Sequence, residues 1–347
     1  MSDIQFAREG LPLPPVARRL RMDRFRTLQA SFNPDQLRHE HEARAQVARK
    51  VRVCLRSMEP VVVIAPRWSQ PMSFLEELAI DLISGRPALD CRTVRFRPIK
   101  GRALPEVWNH IVDVFARLTA DNQEPVVPSS VVDRRGFRWS LRRMLDEAHQ
   151  TAPQPVALLA CEAEHLPLSA LEDMVEVWEE YASSHPLDRR CVLLLAGSVQ
   201  VHWLTITGAT RVELRDYSER EAAATMAARA DRGTARQLSS IARFTGGIPG
   251  LVDRFSAHYA EHGELPGSRD GLIQILGTLG DEMRGAVDII AADDALSSRL
   301  EDLMGGKSLP EVESVDEPLR NAGLLQTVPL PSRQVKLRAP AIAALLG

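Results

Sequence analysis

Few side chains in this sequence are of the types that do chemistry, and their spacing removes most of them. Only four of the 43 basic residues are lysines, Lys50, Lys100, Lys307 and Lys336, so a reaction that needs an ammonium group has four candidates. Cys54, Cys91, Cys161 and Cys191 are far apart and form no CxxC pair, which suggests neither a zinc ribbon nor a disulfide framework. His258 and His262 lie four apart in a helical stretch, yet Tyr259 stands where a helical zinc-hydrolase motif needs Glu. They read as two exposed histidines. Glu162, Glu164 and His165 bring carboxylates and an imidazole together, but no Ser or Cys nucleophile motif accompanies them. Gly305-Gly306-Lys307-Ser308 has the end of a phosphate-loop motif, but no buried strand precedes it and Leu309-Pro310 follows where a helix should start. It reads as a surface turn.

The elements that must position any site are clearer. A chain of 347 residues has room for about two domains at roughly 150 residues each. Its formal charge of −3 excludes a globally basic nucleic-acid protein, and 44% hydrophobic with 26% charged residues excludes disorder. The start, MSDIQFAREG, has no apolar signal-peptide core, and no window approaches 18 uninterrupted apolar residues, so a reduced, cytoplasmic, soluble protein without a membrane span is expected. Arg18, Arg19, Arg21, Arg24 and Arg26 form an arginine-dense stretch, either an arm for a partner or phosphate backbone or a helix on its own domain. Apolar runs at 61–65, 155–160 and 191–196 read as buried strands, Thr93-Val94-Arg95-Phe96 reads as another, and 212–214 is a short fifth. Helical spacing fills 74–83, 104–118, 139–149 and 168–181 between them, which implies a parallel sheet covered by helices. After Ser218 the pattern is helical, and the chain closes with a helix ending at Ala322-Gly323-Leu324-Leu325 and two short strands, the signature of a winged helix. Arg134, Arg135, Arg138, Arg142 and Arg143 make a basic cluster, read either as a solvated helix face or as a contact surface for acidic partners or nucleic acid.

Four segments carry a family likeness. They are Val61 to Ala65 with the loop Ala65-Pro66-Arg67-Trp68-Ser69-Gln70-Pro71-Met72-Ser73; Val156 to Cys161 with Glu162-Ala163-Glu164-His165-Leu166; Leu195-Ala196-Gly197-Ser198; and Thr245-Gly246-Gly247-Ile248-Pro249-Gly250. Laid end to end, the chain resembles the AAA+ class of P-loop ATPases, in particular the origin-recognition-type and STAND branches. The resemblance makes the first segment a Walker A loop, GxxxxGK[ST], with Ala65 and Gln70 at glycine positions, Pro71 at the lysine and Met72 at the magnesium-binding Ser/Thr. Ser73 stands one place late for that hydroxyl, and Arg67 is the cation that would reach phosphate instead. Such a loop needs inward N–H groups and a positive side chain, and Pro71 supplies neither. In the Walker B position Glu162 matches the residue that polarises the attacking water, while Cys161 replaces the aspartate that helps hold magnesium. A thiol is a poor ligand for that hard cation. The resemblance places Ser198 at sensor 1, and Arg243 and Arg254 near sensor 2.

The resulting expectation is an α/β P-loop NTPase-like αβα domain at 51–215, preceded by an N-terminal arm and helix at 1–50, then a helical lid at 216–268 and a winged-helix domain at 269–347. The degenerate motifs imply a chain that is not an enzyme. It would be a pseudo-ATPase acting as scaffold, adaptor or regulatory subunit of a multiprotein prokaryotic assembly, with ATP and magnesium at most weak or structural ligands. Its partners would be proteins, among them an active ATPase subunit or effector, in a homo- or hetero-oligomer. The alternatives are a DNA-engaging regulator, with Arg18, Arg19, Arg21, Arg333, Lys336 and Arg338 as contact residues, and structural ATP binding without hydrolysis.

Overall fold

A computed structural model describes residues 42–97, 99, 102–119, 131–152, 154–186, 191–198, 201, 204–229, 233–306, 308–328 and 334–346. Arg18, Arg19, Arg21, Arg333 and Lys307 lie outside them.

The apolar runs become strands β1 (Val61–Ile64), β2 (Asp90–Arg95), β3 (Val156–Cys161) and β4 (Cys191–Gly197), joined by β5 (Thr210–Glu213). All pair in parallel, in the order β2-β3-β4-β1-β5. Alternate side chains leave each strand on opposite faces, so β1 sends Val62 into one core and Val61 and Val63 into another. The first core is roofed by α3 (Leu104–Thr119), α4 (Arg134–Thr151) and α5 (Leu168–Ser184), the second by α1 (Glu42–Arg56) and α2 (Pro71–Ser84). Strand β2 begins three residues before the expected start because it hides a charged pair. The Arg92 guanidinium donates to the Asp90 carboxylate at 2.8 Å, with both side chains almost fully buried.

Helices α4 and α5 are cross-linked by a ladder that accounts for part of the basic cluster. Arg134, Arg138 and Arg142, one turn apart, each reach a residue 42 positions downstream, Glu176, Glu180 and Ser184. A constant offset means the two helices run parallel, as crossovers in a parallel sheet require.

Beyond the sheet lie α6 (Glu219–Arg229), α7 (Ala235–Thr245), α8 (Pro249–His262), α9 (Arg269–Leu276), α10 (Thr278–Ala291) and α11 (Asp294–Met304). Strand β6 (Leu309–Pro310), α12 (Glu313–Asn321), β7 (Leu325–Val328), β8 (Gln334–Leu337) and α13 (Pro340–Leu346) follow. The three strands form an antiparallel sheet ordered β6-β8-β7. One core runs from Ala222 to Leu345, so α6–α8 and the C-terminal elements pack as a single helical unit. That core also contains Trp68, from the loop after β1. No described helix is long and apolar enough to cross a membrane.

Candidate functional site

Parallel strands put their C-terminal ends along one edge, where such folds bind ligands. Here that edge gathers the loop 65–70 after β1, Cys161 and Glu162 after β3, and Gly197 and Ser198 after β4. Ala65 is buried and its N–H donates to the Gly197 carbonyl at 2.6 Å, which ties the loop's root to the neighbouring strand.

From there the loop turns away from the sheet. Trp68 and Gln70 both adopt positive φ, 65° and 53°, a left-handed conformation that costs a non-glycine residue about 1 kcal/mol or more. Packing holds them there. Trp68 is 8% exposed and inserted in the core of the helical unit. Three successive carbonyls then accept hydrogen bonds from outside the loop. Arg67 O accepts from the Arg338 guanidinium at 2.5 Å, Trp68 O from the Gly250 N–H at 2.9 Å, and Ser69 O from the Arg44 guanidinium. Arg44, on α1, also lies over the Tyr217 ring, 4.9 Å from its centroid. Pro71 takes the first position of α2, where a missing N–H costs nothing. Met72 is half-buried and Ser73 exposed.

The glycines of Thr245-Gly246-Gly247 follow from the same junction. A Cβ on Gly246 would lie 2.3 Å from the Arg338 carbonyl oxygen, and one on Gly247 1.9 Å from that of Tyr217. Arg338 itself crosses from β8 to Asp216, donating to both carboxylate oxygens at 2.5 and 2.6 Å, with 3% of its side chain exposed. It is therefore committed inside the chain and is not a surface contact for DNA or a partner, whereas Lys336 is exposed. Arg243 is exposed and paired with Glu219 at 2.8 Å, and Arg254 is exposed; the structure does not bring either into this network.

At the end of β3, Glu162 adopts φ 59° and its carboxylate accepts from the Arg95 guanidinium at 2.7 Å, with His165 Nε2 3.5 Å away. Burial opposes its ionisation, but the hydrogen bonds from His165 and Arg95 outweigh it and hold the carboxyl below its ordinary range. Two residues on, Glu164 is pushed the other way, chiefly by burial, although it accepts the Ser198 N–H at 3.2 Å. Two neighbouring carboxyls with opposed shifts are suited to different protonation states. An Arg95→Ala substitution is expected to raise the Glu162 titration midpoint, read as the pH dependence of its side-chain carboxyl carbon in NMR. The sign follows from the lowered folded value: the stabilisation by Arg95 is present above the unfolded carboxylate range and is lost as pH falls through the folded midpoint.

The resemblance to P-loop ATPases implies magnesium and a nucleoside triphosphate. The Cys161 thiol donates to the Met72 thioether at 3.3 Å, so the two positions from which that family draws magnesium ligands face each other as a sulfur pair. Burial, reinforced by Glu162, pushes the thiol up to about 12, so it is protonated at neutral pH. A neutral thiol and a thioether do not fit a hard cation. Among the described residues no group of three or more His, Cys, Asp or Glu is placed to hold a metal ion.

No protein-family model matches the chain, and no curated protein matches it by sequence. Solved structures resemble it, and the first of them gives the fold as P-loop NTPase-like α/β. One is the Walker-type ATPase PABY2304 of Pyrococcus abyssi, 13% identical, with a TM-score of 0.55 over 88% of this chain and 95% of that one. Another is PH0952 from Pyrococcus horikoshii, a signal-transduction ATPase with numerous domains carrying a tetratricopeptide-repeat sensor; it is 9% identical over 86% of this chain and 41% of its own, and its TM-score of 0.40 is too low to carry an argument. The first finding corrects the expectation that the chain is not an enzyme. A solved structure of the same fold is a Walker-type ATPase, so the altered loop and strand residues do not exclude an enzyme.

Arg44, Arg95, Asp216 and Tyr217 were not singled out in the sequence. Arg95 alone had a usable signal, a charged residue closing a strand at the ligand-binding edge.

Proposed function

We propose that the chain is a regulatory or scaffolding component of a multiprotein assembly, built on the P-loop ATPase fold and ending in a winged-helix type module. In this reading the loop 65–70 is the joint that sets the orientation of the helical unit on the sheet domain. Its partners are proteins, and the device it offers them is a helical unit whose position is governed at one loop. The observation that carries the reading is Arg338, one guanidinium shared by Asp216, Arg67 O and Gly323 O. Nε and Nη2 donate to the two Asp216 carboxylate oxygens and Nη1 to Arg67 O and Gly323 O, so one side chain links three segments. The insertion of Trp68 in the helical unit's core supports the same conclusion by packing. Gly323, at φ 81°, leaves room for it: a Cβ there would meet Arg67 Cβ at 2.8 Å and Trp68 Cζ3 at 3.4 Å.

Native-state amide exchange on the full chain tests the joint. Amides of the loop, of 246–251 and of 323–326 are expected to open together as one cooperative unit, with a single denaturant dependence. Independent opening of the three segments would remove the joint and the regulatory reading built on it.

A further inference from the structure

All four cysteines are buried, and one of them faces a second sulfur. Cys161 closes β3, and its Sγ lies 3.3 Å from the thioether Sδ of Met72, in the first turn of α2. Cys191, by contrast, meets the Tyr181 hydroxyl and the Leu145 carbonyl. The sulfur pair sits beside the loop 65–70, at the sheet edge where such folds bind ligands. Its two members differ in freedom. Cys161 is fully buried on a strand flanked by β2 and β4, whereas Met72 is half-buried and has an unbranched, polarizable side chain. The charge around the thiol favours a cation. Glu162 is offset by its partner Arg95, which leaves Glu164 and Glu76 as the excess acting on the sulfur.

We infer that Cys161 and Met72 form a two-coordinate site for a soft, closed-shell monovalent cation of the copper(I) class. The donors select the ion. Thiolate and thioether are the ligands that hold copper(I), and the same pair is the wrong set for magnesium or calcium. An ion held by two sulfurs needs no larger group of His, Cys, Asp or Glu, and the described residues offer none. With metal–sulfur bonds of about 2.3 Å, as thiolates make to zinc, the two sulfurs must part by roughly 1 Å, a movement within the rotamer freedom of Met72. The thiol passes its proton to solvent as the bond to sulfur forms, and no electron is exchanged. Both residues belong to one core of the sheet domain, so the site does not depend on Arg338 or the joint.

The test titrates the full chain with copper(I) under anaerobic conditions, against the coloured copper(I) chelator bicinchoninate, with magnesium as the comparison ion. The chain is expected to withdraw a single equivalent of copper(I) from the chelator, and excess magnesium is expected not to displace it. Copper X-ray absorption is expected to show sulfur neighbours. Cys161→Ser should abolish the withdrawal. Met72→Leu keeps the volume and deletes the second sulfur, so it should weaken binding at least about tenfold. Thermal melts without metal show whether each variant folds, and Met72→Leu decides the matter alone if Cys161→Ser does not. Arg338→Ala, which loosens the joint, should leave copper affinity unchanged, so the two proposals fail separately. Copper affinity indifferent to Met72 would assign the ion to another cysteine and overturn the inference. No withdrawal of copper, or displacement by magnesium, would overturn it equally.

Discussion

Arg338→Ala is expected to destabilise the chain by about 3–5 kcal/mol, the usual consequence of removing one partner from a buried ion pair. The side chain is 3% exposed and Asp216 16%, so the aspartate left behind cannot recover full hydration. Two carbonyls, Arg67 O and Gly323 O, lose a charged donor at the same time. The loss should be uneven. Both cores of the sheet domain are built without Arg338, whereas the helical unit meets the loop through it, so amides of the helical unit should exchange faster and those of β3 and β4 should be little changed. Adding Asp216→Asn to Arg338→Ala should recover part of the loss, because the uncompensated charge is gone. Denaturant unfolding of the single and double variants supplies the comparison. An Arg338→Ala midpoint equal to wild type, or no recovery in the double variant, would show that the guanidinium is not the clamp.

The parallel sheet was legible because strands buried on both faces are written as uninterrupted apolar runs, and β1, β3 and β4 are such runs. Strand β2 was read short, since Asp90 and Arg92 neutralise one another inside it and leave no apolar signal. After Ser218 the sequence reads simply as helical, but the chain breaks at Gly277, whose φ of 53° and ψ of −127° only glycine takes readily, and restarts at Thr278. Strand β6 is two residues long, one of them Pro310, and has no pattern to read. The candidate site was legible in place but not in use. The sequence locates the loop, the strand end and the double glycine. It cannot say that Arg338 meets Asp216, because the two are 122 residues apart and neither lies in a motif. Nor does it reveal that Trp68 belongs to the core of a different unit, since a tryptophan in a loop carries no record of which surface covers it.

The fate of Trp68 separates packing from hydrogen bonding at this junction. Its indole N–H is buried with no hydrogen-bond partner among the described residues, so contact with the surrounding side chains is what holds the ring. Trp68→Ala is therefore expected to cost about 3–5 kcal/mol through the cavity it leaves in the helical unit's core. Trp68→Phe keeps most of the apolar volume and forfeits no hydrogen bond, so its cost should be well below that of alanine. A left-handed φ at this position strains phenylalanine as it strains tryptophan, and cancels from the comparison. Because Arg338 binds the carbonyl of the preceding residue, Trp68→Ala and Arg338→Ala remove parts of one contact. Their joint effect should fall short of the sum by roughly 1 kcal/mol. Strict additivity in denaturant unfolding would mean that ring and guanidinium hold the two units independently. Equal losses for alanine and phenylalanine would mean that the indole N–H, and not the ring's bulk, fastens the loop to the helical unit.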